Sequence, residues 1–549
     1  MHKIIKEVKH TEREETPMPE KAQSRARSLI YNSLLLSAAA ILMRAVGVSF
    51  SVWISNRVGA EVMGLYSLCT GVWGFALTLA TSGVNLAATR TVAQALGAGE
   101  ERGGGNARAA LRRALLYAAG FGTLAALLLI FSAKAIGLHI LGDARTVRPL
   151  RLLGISLPAI SVSSALSGYF SAVRRVWKSA LSQVCEQAVK IFAVSALLVR
   201  LLPLGVEWCC TALVLGGAIS EIFSCLVGAI LYVSDLRRHI GNGKPTISGR
   251  ESTRRLLSTA LPVAFSAYVR SGLTTVEHIL IPSGLEKYGA TRGGALAEYG
   301  MLNAMVMPVV MFPYAVIYSF TGLLVPELTA AASLEQRHRI SYISGRVWRL
   351  TIIFGTGVAG LLICFADELG YALYGSADAA RFIRLLGPLM PVMYLDTVTD
   401  SMLKGLGEQV YTMNVNIADA ALSAGLVWVL VPRYGISGYI AVLYISELIN
   451  FALSAARLLR VSAMRPRVLS WVFAPVLCVI GAASTARMLL MLLPPVPEGC
   501  PAWLTLTCHM GLTLVLFTLL LRATGCVDTE ISVWLRRSLG IRGKKEEMT

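Results

Sequence analysis

The chain has 549 residues, of which 55% are hydrophobic and only 15% charged, at a mean hydropathy of +0.62. A water-soluble domain has no need of so apolar a composition, so these values exclude soluble enzymes and binding modules and point to an integral membrane protein. The net charge of +19 is then explained by membrane insertion and by attraction to an anionic inner leaflet, so nucleic-acid binding is not required.

The first 28 residues are polar and mixed in charge and are expected as a cytoplasmic disordered tail. The apolar stretch that follows is too long for a signal-peptide core and is expected as an uncleaved anchor. Runs near the roughly 20 residues needed to span hydrocarbon start near Leu29, Val62, Ala110, Leu152, Ala180, Glu207, Leu256, Leu296, Ile340, Ile383, Val410, Ile436, Val468 and Trp503, which predicts fourteen helices. Most Lys and Arg fall in segments that this alternation puts inside, so both termini are expected in the cytoplasm. The glycine run Gly103 to Gly105 reads as a flexible linker in a basic turn.

An eleven-residue phrase occurs twice, 233 positions apart: RPLRLLGISLP from Arg148 and RFIRLLGPLMP from Arg381. Upstream glycines keep the same offset, Gly137 with Gly370 and Gly142 with Gly375, and an I-S-E echo recurs at Glu221 and Glu447. Two related halves follow from this. Six spans separate equivalent points, an even number, so the halves are parallel repeats with a central cavity between them, the plan of an alternating-access carrier. The expected organisation is a tail (1–28), an N-lobe (29–233), a basic cytoplasmic linker (234–255), a C-lobe (256–460), two extra helices (461–522) and a basic tail (523–549). The fold class is all-α and polytopic.

Chemistry has little room outside the membrane. No loop is long enough for a catalytic domain, the ten cysteines show no disulfide or metal pattern, and the histidines form no H-E-x-x-H. GNGKPT at Gly241 to Thr246 lacks the spacing of a phosphate loop and has no strand before it. No enzyme and no cofactor are expected, apart from Na+ or H+ coupling or use of the membrane potential.

Charges inside spans cost about 2.5 to 3.5 kcal/mol each on insertion scales, so they mark function or pairing. Arg44 in the first span and Arg270 and Glu277 in the seventh face a cavity between the halves and are the candidate substrate-binding residues; a salt bridge between Arg270 and Glu277 is the bland alternative. Glu186 with Lys190 stand at i, i+4, as do Asp396, Asp400 and Lys404 along one stripe. These are candidates for coupling or for mutual neutralisation. Glu221 and Glu447 are expected in an architectural role, capping a neighbouring helix break. Pro158 and Pro391, matched across the repeat, are the hinge candidates.

The phrases MRAVGVSFSVWISNRVGAEVMGLYSL, SGVNLAATRTVAQALGAG and FADELGYALYGSADAARFIRLLGPLMPVMY carry a family resemblance. From about Leu29 to Arg460 the chain resembles the stage V sporulation protein B branch of the multidrug/oligosaccharidyl-lipid/polysaccharide exporter superfamily. The resemblance implies two six-helix lobes, two added helices and transport of an undecaprenyl-linked sugar, such as the peptidoglycan precursor lipid II of the wall or spore cortex, from inner to outer leaflet. It also implies cavity arginines that grip a diphosphate, with Arg44 and Glu277 at family positions. Two positions depart from the pattern: Ser51 stands where relatives often carry a second arginine, and Ala267 where the sporulation branch carries one, with Arg270 a turn later. Lipid-linked oligosaccharide and membrane lipids are the partners implied, with the cell-wall synthesis machinery a further candidate. A cation-coupled drug exporter and a non-transporting scaffold of wall synthesis are the alternatives.

Overall fold

A computed structural model describes residues 20–96, 100–239, 249–467, 469–492 and 502–526, and within them every regular element is a helix. The first half contains α1 (Glu20–Thr81), α2 (Val84–Leu96), α3 (Glu100–Ala135), α4 (Val147–Ala172), α5 (Val176–Leu201) and α6 (Val206–His239). The second half runs through α7 (Gly249–Tyr288), α8 (Arg292–Tyr299), α9 (Met307–Val310), α10 (Tyr314–Ser333), α11 (Arg337–Cys364), α12 (Ala366–Tyr374), α13 (Ala377–Leu386), α14 (Met390–Gly405) and α15 (Gln409–Ser462). The closing pair, α16 (Ala474–Leu492) and α17 (Ala502–Ala523), packs on itself and on α11. The expected phosphate-loop decoy at 241–246, the tail residues 1–19 and the basic segment 527–549 lie outside the described residues. Gly103 to Gly105 sit inside α3 rather than in a linker.

Two of these helices are longer than one crossing. At 62 and 54 residues, α1 and α15 would run about 93 and 81 Å if straight, against a hydrocarbon core of about 30 Å. Each is broken once, at Gly59 (φ 81°) and Gly435 (φ 60°), backbone conformations that a side chain resists. Among the described residues nine helices are long and apolar enough to cross a membrane, fewer than the fourteen expected. Part of the difference is physical: the two broken helices each hold two crossings, and the run from Ile383 is divided between α13 and α14, helices of 10 and 16 residues. The outer surface is apolar, with Phe131 80% and Phe192 77% exposed, as a lipid-facing wall requires.

The repeated phrase is a packing device. Gly154 on α4 lets Ile130 of α3 approach until a Cβ there would lie 2.7 Å from Ile130 Cγ1, and Gly387, just before α14, makes the same 2.7 Å approach to Ile363 of α11. Gly122 fits against Pro158 and Gly355 against Pro391, a Cβ at either meeting the proline Cα at 2.9 Å. Both hinge candidates are thus clamped by a glycine on the neighbouring helix, in matched positions of the two halves. Gly142 and Gly375 both take left-handed conformations, φ 66° and 59°. Sequence duplication has become duplicated geometry.

At one end of each half an ion pair fastens the turn before a helix to the helix beside it. In the first half Arg175, at the start of α5, pairs with Asp235 of α6, which also accepts from Lys178 Nζ at 2.6 Å and the Tyr169 hydroxyl at 2.8 Å. In the second, Glu408 at the start of α15 pairs with Arg457 at 2.7 Å, the same arrangement with its charges reversed. Asp235 is only 1% exposed, so its removal leaves Lys178 buried without its counter-charge. Asp235→Ala is expected to destabilise the fold by about 3–5 kcal/mol, read as a lowered melting temperature in detergent, with Glu408→Ala the milder of the two.

Candidate functional site: a cationic cavity between the halves

Helix α7 of the second half lies along α1 of the first, and α15 packs against α7. Where α1, α7, α14 and α15 meet there is a cavity of about 440 Å³. Ala267, Arg270, Ser271 and Thr274 line it because positions three and four apart share a helix face. Thr78 contributes from the first half, and Lys404, Gln409, Thr412 and Asn416 from the second. The cavity therefore has two cations, Arg270 and Lys404, set among hydroxyls and amides.

Neither cation is neutralised by the partner its spacing suggests. Arg270 forms no salt bridge with Glu277, whose hydrogen-bonding neighbour is Ser423 on α15. Asp400 accepts from Asn416 Nδ2 at 2.8 Å and Ser454 Oγ at 3.2 Å. Among the described residues Arg270 and Lys404 make no ion pair within 4 Å. Ala267 and Arg270 line the same space, so the arginine's one-turn displacement from the family position keeps the charge in the cavity.

The carboxylates collect deeper in the second half. Asp396 and Asp400 on α14 are buried, and Asp419 and Glu447 on α15 interact electrostatically with them; Arg270 reaches Asp396 and Asp419 in the same way. Asn450 Nδ2 donates to Asp396 Oδ2 at 3.0 Å, while Asp396 Oδ1 and Asn450 Oδ1 are buried with no hydrogen-bond partner. Glu277 belongs to this cluster through Asp419, so it is not a wall of the cationic cavity. Asp419 was not singled out from the sequence, although it stands 233 positions after Glu186.

The remaining candidates are distributed. Arg44 is exposed on α1 and acts electrostatically on Tyr314 and Tyr394 across the gap between the halves, without lining the 440 Å³ cavity. Glu186 and Lys190 on α5 interact at a distance with no ion pair within 4 Å, and Glu221 faces the same two charges. Neither Glu221 nor Glu447 caps a helix break. Both instead point into the interior of their own half.

At the opposite end the halves are shut together. Arg292, at the start of α8, pairs with Glu286, donates to the Leu141 carbonyl of the first half and lies 3.6 Å from Asp143. Arg145 ties Asp143 (2.8 Å) to Glu61 (2.9 Å). Behind this network α1 and the α8 segment touch backbone to backbone at Gly64 and Gly300. This lock joins Arg292 to Leu141 across 151 positions, a separation that no local sequence pattern marks.

A two-half helical bundle with a charged cavity on its central seam and a closed seam at one end has the form of an alternating-access carrier. Residues 29–332, more than half of the chain, match the polysaccharide biosynthesis protein family, and the chain belongs to it. Stage V sporulation protein B of Bacillus subtilis (strain 168) is 28% identical over 422 residues, covering 75% of this chain and 80% of that protein. Sporulation protein YkvU of the same organism is 21% identical over 366 residues, 65% of this chain and 77% of the relative. Among solved structures, the lipid II flippase MurJ in an inward closed conformation superposes with a TM-score of 0.66 at 12% identity, covering 93% of this chain and 100% of that one. An inward-facing multidrug resistance MATE transporter of the MOP superfamily superposes at 0.60 and 14% identity, over 78% and 99%. The fold is that of this superfamily, as the family phrases imply.

Proposed function

We propose that the protein flips a lipid-linked, diphosphate-bearing sugar across the bacterial cytoplasmic membrane by alternating access, with both termini in the cytoplasm and the Arg292 end outside. One observation carries this reading: Arg270 and Lys404 face an interlobe cavity without ion-pair partners, a costly arrangement in a membrane unless an anion visits it. An arginine fork and a lysine point charge suit phosphate oxygens, and the surrounding hydroxyls add donors. The prenyl tail can stay in lipid while the head group crosses. Family membership and the likeness to stage V sporulation protein B support a polysaccharide or wall-precursor substrate, with lipid II as the specific expectation. Closure at the Arg292 end supports reading this conformation as the one that loads from the cytoplasmic side.

The carboxylate cluster supports a coupling role for a cation within this cycle. It is also what a cation-coupled drug exporter would need, and acid-dependent dye efflux is the result that would favour that second reading. The deciding experiment measures surface-exposed peptidoglycan lipid precursor in cells depleted of their own flippase. The wild-type chain is expected to restore exposure and Arg270→Ala to lose it; no restoration by correctly inserted protein removes lipid II as substrate.

A further inference from the structure

A second cavity lies inside the first half, among α1, α2, α4, α5 and α6, with a volume of about 360 Å³. Ser163, Ser164, Ser167, Ser179, Ser182 and Ser224 line it together with Asn85, Gln183 and one ionisable side chain, Glu186. Serines between membrane helices ordinarily let the helices close on each other. Here Ser167 meets Ser179 at 2.9 Å and Ser224 donates to the Ser182 carbonyl at 3.3 Å, yet the serines also border an open space, and a polar-walled space is one that water or a ligand fills. Among the described residues the Ser164 hydroxyl and the Gln183 amide have no hydrogen-bond partner, so donors and acceptors face the cavity unused.

The repeat shows what this pocket has become. At the 233-residue offset, Ser163, Ser167, Gln183 and Glu186 correspond to Asp396, Asp400, Asn416 and Asp419, and Ser224 corresponds to Asn450 at the offset of the I-S-E echo. The same place in the second half is therefore the carboxylate cluster. Both halves keep a polar pocket among the same helices, yet where the second has Asp396 and Asp400 the first has Ser163 and Ser167, with Glu186 and Glu221 standing where the second has Asp419 and Glu447. The second half's chemistry suits a cation. The first half's suits a neutral ligand rich in hydroxyl and amide groups.

Position supplies the link to the cationic cavity. Leu77 and Thr81 of α1 line the serine pocket, and Thr78 lines the cavity of Arg270 and Lys404. One turn of one helix, about 5.4 Å of rise, therefore borders both. Resting on the flippase reading above, we propose that the serine pocket is the sugar subsite: the diphosphate sits at Arg270 and Lys404 while an N-acetylated sugar enters the first half. Each serine both donates and accepts, as a sugar hydroxyl does. Gln183 can pair with an acetamido group in both senses, and Glu186 accepts from hydroxyls. The volume lies in the ordinary range of small-molecule sites.

The test uses the full chain in lipid nanodiscs and two probes, a polyprenyl diphosphate and the same lipid carrying an N-acetylated disaccharide, with binding read by intrinsic tryptophan fluorescence. The wild type is expected to bind the glycosylated lipid about tenfold more tightly, the worth of one or two net hydrogen bonds. Gln183→Ala, which removes the amide, and Ser164→Leu, which fills the pocket, are expected to abolish that margin while keeping wild-type affinity for the sugar-free lipid; that retained affinity also reports an intact fold. Arg270→Ala weakens both probes. Equal wild-type affinities, or a margin that survives in both variants, overturns the sugar subsite and leaves the flippase standing. Failure of the wild type to bind either lipid overturns the flippase reading and this inference with it.

Discussion

Gly300→Leu is expected to hold the protein open at the Arg292 end and to stop transport. A Cβ at Gly300 would lie 2.3 Å from both the Ala60 carbonyl oxygen and the Gly64 nitrogen, and one at Gly64 would lie 1.9 Å from the Leu296 carbonyl oxygen. All these neighbours are backbone, so no side chain can swing aside and the helices must separate. Overpacking costs about 1–3 kcal/mol where side chains yield, and a backbone contact yields less. The conformation open at this end lacks the contact and is spared the cost, so the equilibrium moves toward it by at least tenfold for each roughly 1.4 kcal/mol. Spin labels at His139 and Lys287, both exposed on opposite halves at this end, would report the change in a background with the native cysteines replaced. A distance distribution dominated by a longer separation is expected. An unchanged distribution in a folded variant would mean that this seam never parts, and alternating access would go with it.

The polar part of the same lock responds more gently. Burial alone pushes the Asp143 carboxyl up, but hydrogen bonds and charge from Arg145, with the charge of Arg292, outweigh it and hold the group below its ordinary value. A depressed carboxyl contributes its stabilisation fully above the unfolded value and loses it only as pH falls through the folded one. The lock is therefore complete at neutral pH. Arg292→Ala removes the link to Leu141 and Asp143 yet leaves the glycine contact, so it is expected to raise the open population less than Gly300→Leu in the same measurement.

The duplication was legible in the sequence because its cause is local: Gly154 and Gly387 must admit Ile130 and Ile363, and that requirement preserves R-L-L-G in both places. Arg270 stood out for a different reason, since a cation inside a span is costly and so marks function or pairing. For Lys404 the spacing left two readings open, a coupling stripe or a pair with Asp400. The lysine follows Asp400 at i, i+4, but Asn416 and Ser454 of α15 hold Asp400 and leave the lysine on the cavity. Glu277 does not line the 440 Å³ cavity and has Ser423 and Asp419 as its neighbours. In both cases a neighbouring helix decided which face of a residue's own helix mattered, and one-dimensional periodicity does not contain that information. The span tally fell short where one helix holds two crossings, as α1 and α15 do, and where the run from Ile383 is divided between α13 and α14.

Removing the two cavity cations is expected to produce the largest loss of transport short of locking the protein. A hydrogen bond to a charged group is worth about 1.5–3 kcal/mol, so Arg270→Ala and Lys404→Ala should each lower transport of limiting substrate by roughly ten- to a hundredfold. Arg270→Lys keeps the charge and loses the planar fork, so an intermediate rate is expected if phosphate oxygens are held in pairs. The double variant separates two meanings of a shared cavity. If both cations hold one diphosphate, the second removal acts on a site already broken, and the combined loss falls short of the product of the single losses, because residues on one ligand couple. If they serve successive stations along the path, the losses multiply. Vesicle-based flipping of a fluorescent lipid diphosphate measures all four proteins under one condition. Near wild-type rates for Arg270→Ala would leave the exposed pair without a substrate to explain it and shift the burden of function to the carboxylates of the second half, where a cation rather than an anion would be the species moved.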